Sequence, residues 1–305
     1  MYFNENSFVY LNGEFVKARD AKTDFFGQTM HYGYGVFEGI RAYLTENGNT
    51  RIFKEQQHFL RLQNSARLLN MPFPWDVREL IGASYEVLKL NDLTSAYIRP
   101  LVYAPANMGF NKNEESFVVI EAWHMDPFLG EKLISVGFSS FERPNPRAFR
   151  LEAKACGHYV NSILASQEAK ANGFDEALLF DKDGFIAEAP GANIFLEKDG
   201  KLYTPPLGSI LPGITRQTVL ELASENGWDA FESRLTKEDL LNADSAFFCG
   251  TAAEIVGISK VENHHLPLEW NKSLGAKIQK QYSRLVRKDK EKISLKNKKT
   301  VFVNE

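Results

Sequence analysis

The stretch Leu211-Pro212-Gly213-Ile214-Thr215-Arg216 is the most informative part of this 305-residue chain. Its Pro-Gly pair is typical of a turn, and the apolar residues that follow at helical spacing predict a helix over 215–226. The first turn of a helix presents unpaired N–H groups and the positive end of the helix dipole, so it readily binds a phosphate-sized anion. Thr215 would add a hydroxyl donor, although a role as the helix cap alone is the simpler explanation of the same residue.

A second turn of small residues, Gly250-Thr251-Ala252-Ala253-Glu254, follows a predicted strand over 244–249. Small side chains let backbone N–H groups approach a ligand closely. A tight bend between two strands would explain the same residues. Two such turns in one half of the chain favour an anion-binding function over two coincidental bends.

Lys154 and Glu188 lie upstream of these turns. Lys154 has the small neighbours Ala153, Ala155 and Gly157, which leave room for a flat ring. A desolvated lysine amine acts as a nucleophile and carries protons. Glu188 follows the apolar run 185–187, and a buried glutamate must be paired. A surface lysine and a turn glutamate are the simpler explanations of each residue taken alone.

Taken in order, a lysine, a carboxylate and an anion-binding turn are the groups that an enzyme of pyridoxal 5'-phosphate needs. The lysine binds the aldehyde of the cofactor, the carboxylate pairs with the ring nitrogen, and the turn holds the phosphate. The sequence therefore predicts this cofactor.

The composition is that of an ordinary globular protein. Hydrophobic residues make up 44% and charged residues 25%, with a net charge of −3 at pH 7. This balance gives no reason to expect nucleic acid or an anionic membrane as a partner. No apolar run reaches the roughly 20 residues that cross a bilayer. Without a secretory signal, Cys156 and Cys249 are interpreted as thiols and the protein is expected to be cytoplasmic. No residue spacing is typical of a metal site.

The pattern along the chain predicts an α+β fold in two domains. Asn12-Gly13 is expected to close a hairpin over 8–16. Helical spacing of apolar residues and β-type runs place the remaining elements. The predicted helices are 55–70, 76–90, 159–172, 215–226 and 273–288, and the predicted strands are 96–102, 117–123, 133–141, 175–181, 185–189, 193–197, 244–249 and 254–260. We predict a small α/β domain over 1–125 with the N-terminal hairpin, an interdomain linker over 126–132, a larger cofactor-binding domain over 133–288 and a basic C-terminal tail over 289–305.

Aromatic residues at strand ends and in glycine-rich segments, with arginines near them in sequence, suggest a pocket for an amino acid. Such a pocket packs an apolar side chain against aromatic rings and binds a carboxylate with a guanidinium. Core aromatics and surface arginines are the simpler explanation of any single member. The aromatic candidates are Tyr32, Phe37, Tyr97, Phe128 and Tyr159, and the arginines are Arg41, Arg61 and Arg99.

Six motifs occur in a characteristic order. They are His31–Arg41 (HYGYGVFEGIR), Leu93–Pro100 (LTSAYIRP), Ala153–Ala155, Glu188–Phe195, Leu211–Arg216 and Gly250–Glu254. Together they resemble the N-terminal motif, the substrate-pocket strand and the cofactor-binding segments of the branched-chain amino-acid aminotransferases. The resemblance extends from about residue 8 to residue 260. It implies a two-domain fold-type IV aminotransferase (D-amino-acid aminotransferase-like) architecture.

The resemblance also implies a role for individual residues. Lys154 would hold the cofactor and then move a proton, Glu188 would pair with the ring nitrogen, and Tyr159 would bind the phenolic oxygen. The phosphate would be bound by Arg61, Ile214, Thr215 and Thr251, within cofactor-binding segments that also include Leu211, Gly213 and Gly250. The side chain of the substrate would contact Tyr32, Phe37, Phe128 and Tyr159. Its α-carboxylate would be bound by Tyr97, Thr251 and Ala252. Arg99 would bind the distal carboxylate when glutamate is the substrate.

Three residues depart from the family's pattern. Pro190 stands at the position of a small residue, and Ala192 replaces a glutamate that usually precedes Asn193. Both lie in the loop after Glu188 and put the hydrogen bonding of that residue in question. Phe128 replaces a tyrosine and so removes a hydroxyl from the pocket.

The resemblance implies a homodimer whose pocket is completed by the neighbouring subunit. The expected reaction moves the amino group of L-leucine, L-isoleucine or L-valine to 2-oxoglutarate. A D-amino-acid transaminase or an aminodeoxychorismate lyase would share the fold, but Tyr97–Pro100 and the pair Tyr32 and Phe37 favour the branched-chain enzymes. Two alternatives belong to another class of protein. One is a protein that binds pyridoxal phosphate without turnover, which only Pro190 and Ala192 support. The other is an interaction protein without a small ligand.

Overall fold

The computed structural model of the protein describes residues 2–125, 129 and 132–289. Within these residues, one antiparallel sheet is formed in the first half of the chain. Its strands pair in the order β2-β1-β7-β6-β4-β5, and β3 also pairs with β6. The strands are β1 (Phe8–Leu11), β2 (Glu14–Lys17), β3 (Gly35–Phe37), β4 (Ile40–Leu44), β5 (Thr50–Ile52), β6 (Ala96–Tyr103) and β7 (Phe117–Trp123), with helices α1 (Gln28–Tyr32), α2 (Glu55–Leu68) and α3 (Val77–Leu90).

A second, mixed sheet is formed in the latter half of the described chain. Its strands are β8 (Ile134–Glu142), β9 (Glu176–Phe180), β10 (Asn193–Lys198), β11 (Lys201–Thr204), β12 (Ala230–Glu232), β13 (Ser245–Gly250), β14 (Glu254–Val261) and β15 (His264–His265), and its helices are α4 (Tyr159–Ala171), α5 (Ile214–Glu225), α6 (Lys237–Leu241) and α7 (Leu274–Arg287). The order is β12-β11-β10-β13-β14-β8-β9, and β15 pairs with β14. Strand β8 is parallel to both β9 and β14, and β11 is parallel to β12.

The predicted α+β class and the five predicted helices are confirmed, the helices to within two residues at each end. The hairpin is also confirmed, because Asn12 and Gly13 take the positive φ angles of 49° and 105° that its turn requires. The two sheets take their strands from 8–123 and 134–265. Most of the predicted linker and all but the first residue of the predicted tail lie outside the described residues, so the domain boundaries stay predictions.

The strand predicted over 185–189 is wrong. The segment makes only isolated bridges, from Ile186 to Phe180 and from Glu188 to Asn193. Its N–H groups are divided between two neighbours: Ala187 donates to Leu179 O, whereas Ile186 donates to Leu235 O. Each bridge is a single residue pair, whereas a ladder needs consecutive pairs with one strand, so the segment does not form a regular strand.

Buried aromatic side chains join the two halves of the described chain. Phe53, in the turn after β5 of the first sheet, lies edge-to-face with Tyr282 of α7, with ring centroids 5.7 Å apart. Both belong to one hydrophobic cluster that includes Phe195 and Phe247 of the second sheet. Because this cluster spans both halves, the cavity described below has fixed walls. No helix in the described ranges combines the length and the apolar character that crossing a bilayer requires.

Two glycines bring the N-terminal segment against the segment that follows Lys154. Gly33 ends α1 in the left-handed conformation, at φ 65°, and Gly157 N donates to Gly33 O at 3.0 Å. A Cβ atom at Gly33 would lie 2.7 Å from Gly157 Cα, closer than packing allows. The contact therefore requires glycine for both backbone angle and space.

We predict that Gly33→Ala destabilises the protein more than Gly48→Ala does. Both substitutions place alanine at positive φ, at a cost of about 1–2 kcal/mol. Only Gly33→Ala adds a backbone clash, worth about a further 1–3 kcal/mol, since nothing lies within 4 Å of a Cβ at Gly48. Urea unfolding of the two variants measures the difference. Equal losses of unfolding free energy in the two variants would contradict the close contact between Gly33 and Gly157.

Candidate active site

Residues from both sheets line a cavity of about 350 Å³. The cavity collects most of the site residues that the sequence predicted. The ones that line it are Phe37, Arg61, Tyr97, Arg99, Lys154, Tyr159, Glu188, Leu211, Gly213, Ile214, Thr215, Gly250, Thr251 and Ala252. Groups from distant parts of the sequence thus line one cavity.

Lys154 has a fixed backbone and a side chain that extends into the cavity wall. Its N–H donates to Ser65 Oγ at 3.0 Å, and its carbonyl accepts from Phe37 N at 3.0 Å. The ammonium Nζ donates to Tyr159 Oη at 2.6 Å and lies 5.0 Å from the centre of the Phe37 ring. The amine is therefore held between two aromatic side chains while its backbone is anchored on both sides.

Glu188 is a buried carboxylate that accepts hydrogen bonds from two donor groups and pairs with an arginine. Leu211 N donates to both oxygens, at 3.1 and 3.2 Å, and Asn193 Nδ2 donates to Oε2 at 3.0 Å. Arg143 Nε lies 3.1 Å from Oε1. Burial raises the pKa of the Glu188 carboxyl, and the guanidinium of Arg143 opposes this effect.

The loop with the two departures retains its hydrogen bonds. Ala189 N donates to Ala192 O at 2.9 Å, which closes a turn over Pro190 and Gly191. The side chain of Ala192 is small and buried, and Glu188 still receives the donors described above. The substitutions at Pro190 and Ala192 therefore leave Glu188 bound in place.

The start of α5 lies at the turn for which the sequence predicts anion binding. Gly213, rather than Thr215, is the N-cap residue, and no side chain caps this helix. A Cβ at Gly213 would lie 2.0 Å from Asn193 Oδ1, so glycine lets the helix start approach the Glu188 loop. Thr215 is buried and lines the cavity. The simpler explanation of Thr215 as the helix cap is therefore wrong.

The second predicted turn also lies against the cavity. Gly250, Thr251 and Ala252 line it at the end of β13. A Cβ at Gly250 would lie 3.0 Å from Gly191 O, so this turn packs directly on the Glu188 loop. The two small-residue turns and the carboxylate thus form one continuous wall.

Aromatic rings and an arginine form another wall. Arg99 Nη2 donates to Tyr97 Oη at 3.1 Å, and the guanidinium lies 4.5 Å from the centre of the Phe37 ring. A Cβ at Gly39 would lie 1.9 Å from Tyr97 Oη, so Gly39 makes room for that hydroxyl. Trp123 lines the same wall, and its buried indole N–H has no acceptor in the described part of the chain.

Tyr32 is a predicted site residue that does not line this cavity. Tyr32 lies on a separate depression with Phe110, where Tyr32 Oη donates to Met108 O at 3.2 Å. Phe128 lies outside the described residues. Arg41, also a candidate, does not line the cavity and instead faces Glu254 at 3.3 Å.

Sequence reasoning missed several residues of the site. Arg61 binds Glu38 through Nε at 2.6 Å and Nη2 at 2.9 Å, and His58 Nδ1 lies 2.8 Å from the same carboxylate. Asn193 and Arg143 pair with Glu188, and Trp123 and Gly39 shape the aromatic wall. Asn193 and Gly39 stand within the quoted motifs, which offered a signal; Arg143 and Trp123 are recognisable only from their spatial neighbours.

The sequence pattern of the family described as Amino-transferase class IV matches residues 35–261, more than half of the chain. The chain belongs to the class IV aminotransferases. This class IV aminotransferase is 42% identical over 284 residues to the branched-chain-amino-acid aminotransferase of Pseudomonas aeruginosa, covering 91% of the chain and 92% of that protein.

Solved structures agree with the family. The branched-chain aminotransferase of Thermoproteus uzoniensis with norvaline has a TM-score of 0.89 at 35% identity, covering 92% of this chain and 95% of that one. The branched-chain amino acid aminotransferase of Thermobaculum terrenum in its PLP-form has a TM-score of 0.87 at 31% identity, covering 93% of this chain and 95% of that one. The predicted fold-type IV architecture is confirmed.

We predict that Glu38 stabilises this class IV aminotransferase at neutral pH and not in acid. Burial acts to raise the pKa of Glu38, but Arg61 and His58 outweigh it and hold the pKa below the ordinary 4.5. A lowered folded-state pKa means that the stabilisation is complete above 4.5 and declines as the pH falls further. Glu38→Gln is expected to lose about 3–5 kcal/mol at pH 7, because Arg61 then stays buried without its anion.

The check is urea unfolding of both proteins between pH 3 and pH 8. The difference in unfolding free energy is expected to be constant above about pH 6 and to shrink by about 1.4 kcal/mol per unit below about pH 4.5. A difference that does not change with pH would show that folding leaves the pKa of Glu38 unchanged, and one that shrinks as the pH rises above 4.5 would show that Glu38 is protonated in the folded protein.

Proposed function

We propose that the chain is a pyridoxal-phosphate-dependent branched-chain amino-acid aminotransferase. It transfers the amino group of L-leucine, L-isoleucine or L-valine to 2-oxoglutarate, in two half-reactions on one cofactor. The observation that carries the proposal is the cavity, in which Lys154 Nζ, the buried carboxylate of Glu188 and the uncapped start of α5 meet an aromatic wall. The names of the relatives support the same substrates, and the PLP-form of one of them supports the cofactor.

The residues present fit pyridoxal phosphate. Gly213 and Gly250 both line the cavity, and because a Cβ at either would meet the Glu188 loop, only glycine lets the two turns pack on that loop beside the carboxylate. Arg61 supplies positive charge beside the start of α5. Glu188 has the acceptor capacity for a ring N–H, and Lys154 supplies the amine. Once bound, the cofactor would supply an electron-withdrawing ring that stabilises negative charge on the substrate's α-carbon.

Lys154 would carry the proton of the reaction. Its backbone is fixed by Ser65 and Phe37, so only the side chain moves when the amine leaves Tyr159 Oη. Because Tyr159 accepts from Nζ, its own hydroxyl hydrogen remains available to an oxygen of the ligand. A lysine confined in this way reaches the same atoms in both half-reactions.

Glu188 would hold the ring nitrogen in its protonated form. Burial raises the pKa of the free carboxyl, and a cationic N–H beside it would favour the ionised form. Leu211 N and Asn193 fix both oxygens, so the carboxylate is oriented before any ligand enters. Arg143 balances its charge at 3.1 Å.

The substrate would lie between the Thr251–Ala252 turn and the aromatic wall. Backbone donors of that turn and Tyr97 Oη would bind the α-carboxylate, while an apolar side chain packs on Phe37. Arg99 would receive the distal carboxylate of glutamate, since its guanidinium lies over the Phe37 ring at 4.5 Å. One wall would then serve leucine and glutamate in turn.

The absorption spectrum of the purified protein tests this function. Adding L-leucine without any oxo acid is expected to convert the aldehyde form of the cofactor to its pyridoxamine form. Lys154→Ala is expected to lower the rate by about 1,000-fold or more, and Lys170→Ala, an exposed lysine on α4, to leave it unchanged. Conversion by D-alanine but not by L-leucine would transfer the assignment to a D-amino-acid transaminase, and failure to bind the cofactor would overturn it.

We further propose that two copies of the chain form a homodimer, each completing the pocket of the other. Phe25 and Phe110 are 76% and 90% exposed, and Met30 and Tyr32 of α1 and Met108 of the loop before Phe110 are exposed as well. Asn107 N donates to Phe26 O, and Tyr32 lies 5.5 Å from Phe110, so these residues form one apolar patch. A second copy is the occupant we propose, because Tyr32 lies outside the cavity of its own chain.

Phe110→Asp is expected to weaken the dimer by at least about 10-fold, because a charge would be buried in an apolar interface. Sedimentation equilibrium measures this, with Phe231→Asp, an exposed residue of β12, as the matched control. A wild-type protein that is monomeric at micromolar concentration would contradict the proposal.

We also propose that the protein is located in the cytoplasm, which fits its two free cysteines.

A further inference from the structure

Three buried polar groups lie behind the wall of the cavity at the start of α5. Arg61 of α2 lines the cavity, and its guanidinium binds both oxygens of Glu38. His58, one turn earlier on α2, lies 2.8 Å from Glu38 Oε2 through Nδ1. Glu38 is fully buried and His58 is 1% exposed, so neither reaches the ligand space directly.

Counting the donors of Arg61 indicates which of its N–H groups remain free. A guanidinium has five N–H groups. Nε and one hydrogen of Nη2 bind Glu38, and one hydrogen of Nη1 binds Pro212 O at 2.8 Å. One N–H therefore remains on each terminal nitrogen, and each can donate to an oxygen of a phosphate. Pro212 immediately precedes the Gly213 cap, so the same guanidinium is tied to the anion-binding turn.

The hydrogen bond of His58 has one possible direction. A carboxylate only accepts, so Nδ1 of His58 must carry the hydrogen. Burial lowers the pKa of His58 and outweighs the opposing effect of Glu38, so the ring stays neutral at pH 7. Glu38 Oε2 then receives His58 Nδ1–H, Arg61 Nη2–H and Gly39 N–H, the last at 3.2 Å. The carboxylate that orients Arg61 is itself held from three sides.

We propose that His58 is a positioning residue for the cofactor's phosphate. His58 fixes the Glu38 carboxylate, and the carboxylate in turn fixes the plane of the Arg61 guanidinium. In that orientation the two free N–H groups of Arg61 point to the start of α5. Loss of the imidazole N–H lets the carboxylate rotate and the guanidinium follow it. His58 therefore strengthens the binding of a phosphorylated ligand but not the binding of the same ligand without its phosphate. This inference rests on the proposed function.

The test compares the binding of pyridoxal 5'-phosphate and of unphosphorylated pyridoxal to the cofactor-free protein, followed by absorbance. His58→Leu is expected to weaken binding of pyridoxal phosphate by about 10-fold, the effect of loosening a charge-assisted contact. Binding of pyridoxal is expected to change less than about twofold, because it has no group for Arg61 to bind. His58→Asn is expected to restore the ratio of the two affinities to within about threefold of the wild-type ratio, because the amide places an N–H near the position of Nδ1.

Phe59→Leu is the matched control. Phe59 is the next residue on α2 and is fully buried in the hydrophobic core, without a hydrogen bond to Glu38. It is expected to lower stability while leaving the ratio of the two affinities unchanged. Parallel losses for both ligands in His58→Leu, or a His58→Asn variant as weak as His58→Leu, would overturn the role of His58.

The wild-type protein separates this inference from the function on which it rests. A strong preference for pyridoxal phosphate in the wild type, with unchanged affinities in His58→Leu, would overturn only the positioning role. A wild type that binds neither aldehyde, or binds both equally, would overturn the proposed cofactor site and the inference with it.

Discussion

The buried ion pair between Arg61 and Glu38 is the interaction on which the geometry of the cavity depends. Removing two charges from water costs several kcal/mol per ion, so such a pair persists only when its hydrogen bonds are complete. Here the guanidinium makes two bonds to the carboxylate and a third to Pro212 O. The pair therefore fixes where the start of α5 lies relative to the segment between β3 and β4.

Close backbone contacts give the cavity its shape. Gly213 approaches Asn193, Gly250 approaches the carbonyl of Gly191, and Gly39 makes room for Tyr97 Oη. At each of these positions a Cβ would fall at or within 3.0 Å of another atom. These close contacts consequently bring the Glu188 loop, the two small-residue turns and Tyr97 around one ligand space. The same small residues that look unremarkable in composition thus determine how near a ligand can come to the chain.

Charge is distributed unevenly around this space. Among the described residues that line it, Arg61, Arg99, Arg143 and Lys154 outnumber the single carboxylate Glu188. Such a balance suits ligands that carry phosphate and carboxylate groups. The aromatic wall adds apolar surface beside these cations, and the fixed backbone of Lys154 limits its freedom to the side chain. In the proposed reaction, the rigid walls of the site would bind the ligand and the mobile side chain of Lys154 would transfer the proton.

The sequence by itself determined the α+β class, the long helices and the order of the binding motifs. Apolar spacing over ten or more residues identifies a helix such as α2, and Asn12-Gly13 identifies a hairpin turn, because both signals are local. The motif segments carried Lys154, Glu188 and the small-residue turns with a spacing typical of one family. Short strands such as β3 and β12 gave no such signal, since three residues are too few to show a period.

Only the tertiary structure decided which groups pair. The segment 185–189 did not form a strand because it pairs with its neighbours only at single residues, through the bridges Ile186–Phe180 and Glu188–Asn193. Arg143 binds Glu188 and His58 binds Glu38 across gaps that no sequence spacing predicts. Tyr32 stands in a family motif, yet its own chain places it on a separate surface. Buried charges take whichever partner the packing of both sheets brings within reach, and that packing depends on the whole chain at once.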